Sequence, residues 1–330
     1  MSAKRRIIPL FIPHAGCVHD CVFCNQRRIS GAEVAAGADE VRQAVLSADA
    51  SEPTELAFYG GSFTAMPVPE QTRLLDAAQP FLRLNPSNSI RLSTRPDYID
   101  RAIVRRLKSY GVTTIELGAQ SMCDDVLCAS RRGHSASDVL YASEIIKDAG
   151  LSLILQMMTG LPGDTRKKSL HTAAQFVDMR PDGVRIYPTV VVRGTELFEM
   201  WQRGDYIEHT VEDAVALCAE LYALFEDAKI HVIRLGLNPT DELSAGAAVA
   251  GAYHPAFGEL VYSRVYLKRA VNALAGVAAG SDVTLGVARG RVSMMVGQRR
   301  CNIDALVREF SLRSVRVVEV DVAGMGVVVV

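Results

Sequence analysis

The chain has 330 residues, of which 49% are hydrophobic and 22% charged, with a net charge of −1. That length supports one large domain plus a small one, and that balance excludes a disordered chain and a globally basic nucleic-acid binder. No apolar run approaches the roughly 18 residues of a membrane span, and Pro9 and Pro13 break the apolar run after the basic N-terminus, so no membrane anchor or secretory leader is expected.

Short buried strands are predicted at 7–12, 55–59, 89–93, 114–117, 151–157 and 183–187. Helical periodicity or composition fills the gaps at 40–48, 69–82, 101–110, 136–149 and 170–177. Asp39 and Ser137 fall at caps or in first turns, and Gly111 and Gly150 at helix stops. Strand and helix alternating six times predict a parallel α/β architecture with right-handed crossovers, a partial (β/α)6 barrel of the TIM type. The expected boundaries are a barrel over 1–205, a helical extension over 206–280 and a small basic α/β module over 281–330. In the second half, helices are predicted at 211–228, 259–274 and 303–310. Strands are predicted at 230–235, 315–320 and 326–330, with a hairpin of 283–288 and 291–296 around Arg289-Gly290. A small-residue stretch covers 245–251.

Each of the six early strands runs into a polar or glycine cluster. The first leads to Cys17, Cys21 and Cys24, spaced C-x3-C-x2-C. The others lead to Tyr59-Gly60-Gly61-Ser62, Ser93-Thr94-Arg95, Gly118-Ala119-Gln120-Ser121, Gly160-Leu161-Pro162-Gly163 and Tyr187-Pro188-Thr189, and the fifth strand carries Gln156. In βα barrels the C-terminal strand ends form the active-site face. Turn geometry alone accounts for the glycines but not for Arg95, Gln120 or Gln156. Three crowded thiols on a post-strand loop suit an iron–sulfur cluster with one iron left open, or a zinc site completed by His14 or His19. The remaining cysteines, Cys123, Cys128, Cys218 and Cys301, read as core or surface thiols. The odd, scattered set of seven fits a reduced cytoplasm.

With Phe23 before the last cysteine, this motif resembles the radical S-adenosylmethionine (SAM) enzymes. The resemblance implies a [4Fe-4S] cluster on Cys17, Cys21 and Cys24, with SAM on the fourth iron and reductive cleavage to a 5′-deoxyadenosyl radical. It further implies that Gly60, Gly61 and Ser62 hold the amino group of SAM, that Ser93, Gln120 and Gln156 contact its ribose and methionine parts, and that Arg132 meets its carboxylate. A bidentate guanidinium suits that last role. The turn at 160–163 resembles the GLPG turn of these enzymes, which implies that it shapes the adenine pocket, with Asp164 or Thr165 expected to open the next helix. Arg185 and Tyr187 share a strand face. His14, His19 and His134 are candidates for proton transfer, packing or outer hydrogen bonds.

Longer matches, FIPHAGCVHDCVFCNQ, YGGSFTA, STRPDYI, IELGAQSM, RRGHS, QMMTGLPGDT and VRIYPTVVVRGTEL, are similar to the radical SAM domain of the Elongator catalytic subunit. They resemble the oxygen-independent coproporphyrinogen III oxidase group more distantly. The cysteine spacing is narrower than the Elongator subunit's, and no acetyl-coenzyme A loop is identifiable, so acetyl transfer is not expected. The implied partners are a reductant such as a ferredoxin or flavodoxin, and tRNA; the seven arginines from Arg289 to Arg316, against Asp304 and Glu309, read as either a surface for RNA phosphates or a solvated basic face. A tetrapyrrole or other small-molecule substrate, or a non-catalytic haem- or zinc-binding role, is the alternative.

Overall fold

A computed structural model describes residues 6–32, 34–49 and 51–330. The first half alternates strands β1 (Arg6–Phe11), β2 (Thr54–Tyr59), β3 (Ser89–Thr94), β4 (Val112–Gln120), β5 (Ser152–Thr159) and β6 (Gly183–Pro188) with helices. These strands pair in sequence order, all parallel. The apolar run of β2 is buried along nearly its whole length, as a parallel strand covered on both faces requires. Leu56, Phe58, Leu75, Phe81, Ile90, Leu92 and Leu107 are fully buried between sheet and helices. Each such side chain contributes about 1.5–3 kcal/mol of transfer free energy.

Local capping sets where the crossover helices begin. The Asp100 carboxylate accepts from Ile103 N at 2.7 Å ahead of Arg101–Ser109. Ser135 and Asp138 form a reciprocal capping box ahead of Ala136–Asp148, which leaves Ser137 in the first turn. Of the two candidates after the GLPG turn, Thr165 is the cap, accepting from Lys168 N at 3.3 Å.

The expected partial barrel is present, and it carries a further strand. After β7 (Val190–Val192), strand β8 (His231–Leu235) pairs in parallel with β6 and closes the sheet as its seventh strand. Strand β9 (Ala248–Gly251), inside the small-residue stretch, pairs antiparallel with β7. The segment after β8 reaches the helix that follows the cysteines, where Thr240 Oγ1 donates to Arg28 O at 3.3 Å and Arg28 lies 3.7 Å from Glu242.

The chain divides into two compact units, 1–210 with 225–255, and 211–224 with 256–330. The second unit holds β10 (Asp282–Val287), β11 (Ser314–Glu319) and β12 (Val327–Val329) in the order β11-β10-β12. The predicted hairpin at Arg289-Gly290 does not form. Its second arm is the helix Val292–Val296, and β10 pairs in parallel with β11 across a helical crossover. A five-residue apolar run is too short to separate helix from strand by period, and the buried Met295 is satisfied by either. All seven arginines between Arg289 and Arg316 are exposed.

Candidate functional site

The cysteine loop is laced to the end of β2. Ile12 N donates to Tyr59 O at 2.8 Å, His14 N to Gly60 O at 3.0 Å, and Ser62 N to Ala15 O at 2.8 Å. Gly61 permits this, because a Cβ there would lie 2.5 Å from Ile12 O and 2.6 Å from Ala15 O. On the other side the loop is pinned by packing. Val22 and Phe23 are buried with Val126, Leu161, Val191 and Leu197, and Leu197 N donates to Val22 O at 2.7 Å. Phe23 is thus a core residue that holds Cys24 in place.

The three thiols open into one cavity of about 520 Å³. The glycine pair with Ser62, and Ser93, Gln120, Arg132 and Gln156, line the same cavity, as do Arg185 and Tyr187. Cys21 Sγ accepts from Arg132 Nη1 at 3.1 Å, and Cys24 Sγ from Gln26 Nε2 at 3.5 Å. Burial, reinforced by Cys21, raises the Cys17 thiol above its ordinary range, and burial pushes Cys24 up to about 12. Thiols so placed become thiolates only when a cation shares the site. Among the described residues no group of His, Cys, Asp and Glu closes tightly enough for a single metal ion. The Cys3His zinc set weighed from sequence is not formed: His14 Nε2 accepts from Gln26 N at 3.0 Å, and the His19 ring packs on Gly133. A cluster of four irons is wider than one ion and takes thiolates that stand farther apart.

The strand-end residues divide by how far their hydrogen-bonding capacity is used. The Ser62 hydroxyl lies 3.1 Å from Thr94 Oγ1 and accepts from Arg95 N at 3.3 Å. Gln156 Nε2 donates to Glu116 Oε2 at 3.0 Å. In contrast, Ser93 Oγ, Gln120 Oε1 and Arg132 Nε are buried without a partner. Gln120 adopts a left-handed φ of 67° where the β4–β5 register shifts. Arg132 Nη2 donates to Gly118 O at 2.6 Å. His134 Nε2 lies 3.1 Å from Ala119 O; burial, then Arg132 and Arg95, lower its pKa to about 3, so the ring is neutral at physiological pH. In the GLPG turn, Asp164 Oδ2 accepts from Gly160 N at 2.8 Å and Tyr206 OH donates to Gly160 O at 2.6 Å.

Sequence reasoning missed the cavity floor. Glu116, fully buried on β4, accepts from Arg91 Nη1 at 2.8 Å, Arg185 Nη2 at 3.0 Å and Tyr59 OH at 3.1 Å. Arg91 Nε also donates to Glu55 at 2.7 Å, and Thr114 Oγ1 to Glu55 at 3.1 Å. Burial disfavours the Glu116 carboxylate, yet Arg185 and Arg91 hold its pKa below the ordinary value. The available signal was charge inside otherwise apolar strands at alternating positions, Glu116 on β4, Arg91 on β3 and Arg185 on β6.

Fold and cavity together define a partial-barrel protein whose polar strand ends and cysteine loop share one chamber. Residues 11–176 match the radical SAM superfamily and residues 181–267 the radical SAM C-terminal domain, so the chain belongs to the radical SAM superfamily. Members of that family bind a [4Fe-4S] cluster and SAM. The chain is 33% identical over 174 residues to a tRNA uridine(34) acetyltransferase of Methanocaldococcus jannaschii, covering 52% of this chain and 31% of that protein. It is 36% identical over 138 residues to human Elongator complex protein 3, covering 41% and 25%. The chain therefore spans less than half the length of these relatives. Among solved structures it resembles the Methanocaldococcus infernus Elp3 lacking residues 1–46, with a TM-score of 0.62 and 24% identity over 80% of this chain and 63% of that one. It also resembles the Escherichia coli coproporphyrinogen III oxidase HemN, with a TM-score of 0.52 and 18% identity over 74% and 58%. At these identities the likeness is one of fold. Among the described residues no helix is long and apolar enough to cross a membrane.

Proposed function

We propose that this chain is an enzyme that cleaves SAM reductively at a [4Fe-4S] cluster and uses the product radical on RNA. The observation that carries the reading is the meeting of Cys17, Cys21 and Cys24 in one cavity with the unpartnered polar atoms of Ser93, Gln120 and Arg132. When bound, the cluster and SAM supply electron transfer and a carbon radical. The chain's own residues do the rest. Cys17, Cys21 and Cys24 would hold the cluster as thiolates, a three-cysteine set that would leave a ligand position for SAM. Arg132, whose Nη1 donates to Cys21 Sγ, would take the SAM carboxylate. Ser93 and Gln120 have donor and acceptor capacity to spend on ribose hydroxyls. The backbone at Gly60 and Gly61 lines the cavity beside the cysteine loop and would take the amino group. Gln156 is held in orientation by Glu116.

RNA is favoured as the substrate because relatives are named as tRNA uridine(34) acetyltransferases and because exposed arginines crowd the second unit. A ferredoxin or flavodoxin supplies the electron. The test is anaerobic purification with iron, sulfide and zinc assays, then dithionite reduction with SAM and chromatography for 5′-deoxyadenosine. The expected result is a brown protein with about four irons per chain that yields 5′-deoxyadenosine and retains tRNA at low salt. A colourless zinc protein, or full iron content in the triple Cys→Ala variant, refutes it.

A further inference from the structure

Among the described residues that line the cavity, Arg234 is a cation with no hydrogen bond or ion pair. Arg185 and Arg234 are register partners on the adjacent parallel strands β6 and β8, and both line the cavity. Arg185 is held by an ion pair and hydrogen bonds: its Nη2 donates to Glu116 Oε1 at 3.0 Å and to the Tyr59 hydroxyl at 3.2 Å, and its Nε lies 2.9 Å from Glu116 Oε2, close enough for an ion pair but outside hydrogen-bond geometry. For Arg234, Nε is buried without a partner, and the side chain makes no hydrogen bond or ion pair among the described residues. Two carboxylates line the cavity. Glu116 is committed to Arg91, Arg185 and Gln156, and Asp20 is exposed on the cysteine loop. Like charges side by side across two strands repel, and a buried donor without an acceptor is unfavourable. Such an arrangement lowers stability unless a third party supplies negative charge.

We propose that Arg234 anchors an oxyanion subsite, binding a phosphate or carboxylate group of the substrate, with Tyr187 and Asn238 beside it on the cavity wall. The planar fork of a guanidinium matches two oxygens of such a group. The carboxylate of SAM is not the expected occupant, since Arg132 already stands at the thiols. The word substrate rests on the enzymatic reading above; the anion site itself requires no cluster, and the test keeps the two apart.

The test compares wild type, Arg234→Gln and Arg234→Lys, with iron content measured in parallel, by calorimetric titration and thermal melting. The probes are inorganic phosphate, uridine, uridine 5′-monophosphate and a tetrapyrrole tetracarboxylate such as coproporphyrin. In wild type, phosphate is expected to raise the melting temperature, and uridine 5′-monophosphate to bind about tenfold more tightly than uridine. That ratio is expected to fall to about one in Arg234→Gln and to survive in part in Arg234→Lys. Without ligand, Arg234→Gln is expected to melt no lower than wild type, the reverse of losing a structural arginine. Arg234-dependent binding of the tetracarboxylate but not the nucleotide supports the subsite and removes RNA as its source. Protein without a cluster that keeps the Arg234-dependent ratio sinks the radical reading alone. A nucleotide-to-nucleoside ratio unchanged in Arg234→Gln, or a glutamine variant that melts lower or fails to fold while the lysine variant shows no phosphate effect, overturns the proposal.

Discussion

The Glu116 network at the floor of the cavity and the wall beside it both hold buried polar side chains, yet they are built on opposite principles. On the floor each carboxylate is answered: Glu116 by Arg91, Arg185, Tyr59 and Gln156, and Glu55 by Arg91 and Thr114. In the wall beside it, Ser93, Gln120 and Arg132 each keep a buried atom with no partner. Burial with complete pairing holds strands together, whereas burial with incomplete pairing awaits a ligand. Exposure alone does not separate the two, since Gln120 and Arg132 are as buried as many core residues.

Substitutions in each set test this contrast. The largest effect is expected from Cys17→Ala, Cys21→Ala and Cys24→Ala. Each should abolish 5′-deoxyadenosine formation and lower iron content while the melting temperature stays near wild type, as chromatography and metal assay on folded protein will check. Next is the floor. Glu116→Ala leaves Arg91 and Arg185 without their shared carboxylate and should cost about 3–5 kcal/mol in denaturant unfolding. The sign of the pH effect follows from the lowered pKa of Glu116. Its stabilisation is present above the ordinary carboxylate range and is lost as pH falls through the folded value, so Glu116→Gln should flatten the acid limb of the stability curve.

His134 gives a smaller effect in another window. Its folded pKa of about 3 lies below the ordinary 6.5, so the unfolded chain binds the extra proton between those values and stability falls as pH drops through them. His134→Gln should remove a slope of at most about 1.4 kcal/mol per pH unit there. Gln120→Ala should weaken SAM about fivefold, equivalent to one ordinary hydrogen bond, and leave unfolding almost unchanged; equal losses in both would place Gln120 with the floor. Smallest is Arg308→Ala on the second unit, within about 0.5 kcal/mol in stability and reducing the salt slope of tRNA binding by about one.

The strand ends were readable because parallel strands are short apolar runs and their polar termini interrupt them abruptly, as at Phe58-Tyr59-Gly60-Gly61 and Leu117-Gly118-Ala119-Gln120. The cysteines, the glycine pair, Ser93, Gln120, Arg132 and Gln156 followed from that pattern and from family likeness, and they share one cavity. The role of β8 in the sheet was not readable, because the chain between β6 and β8 makes β7 and two helices before returning. The Glu116 network was hidden for a related reason. Its partners Arg91 and Arg185 stand 25 and 69 residues away, and only strand register brings them together. Spent and unspent hydrogen-bonding capacity likewise cannot be read from residue type, so Ser62 and Ser93 looked alike.

The paired glycines after β2 are governed by separate constraints despite their adjacency. Gly60 has a φ of 88° and no atom closer than 3.5 Å to where a Cβ would stand, so it is limited by backbone conformation, which asparagine tolerates better than other side chains. Gly61 meets two carbonyl oxygens of the cysteine loop, so any side chain there displaces the backbone that carries Cys17. Among natural variants of this chain, a side chain at the first glycine is therefore strained by its backbone but sterically open, and one at the second is closed.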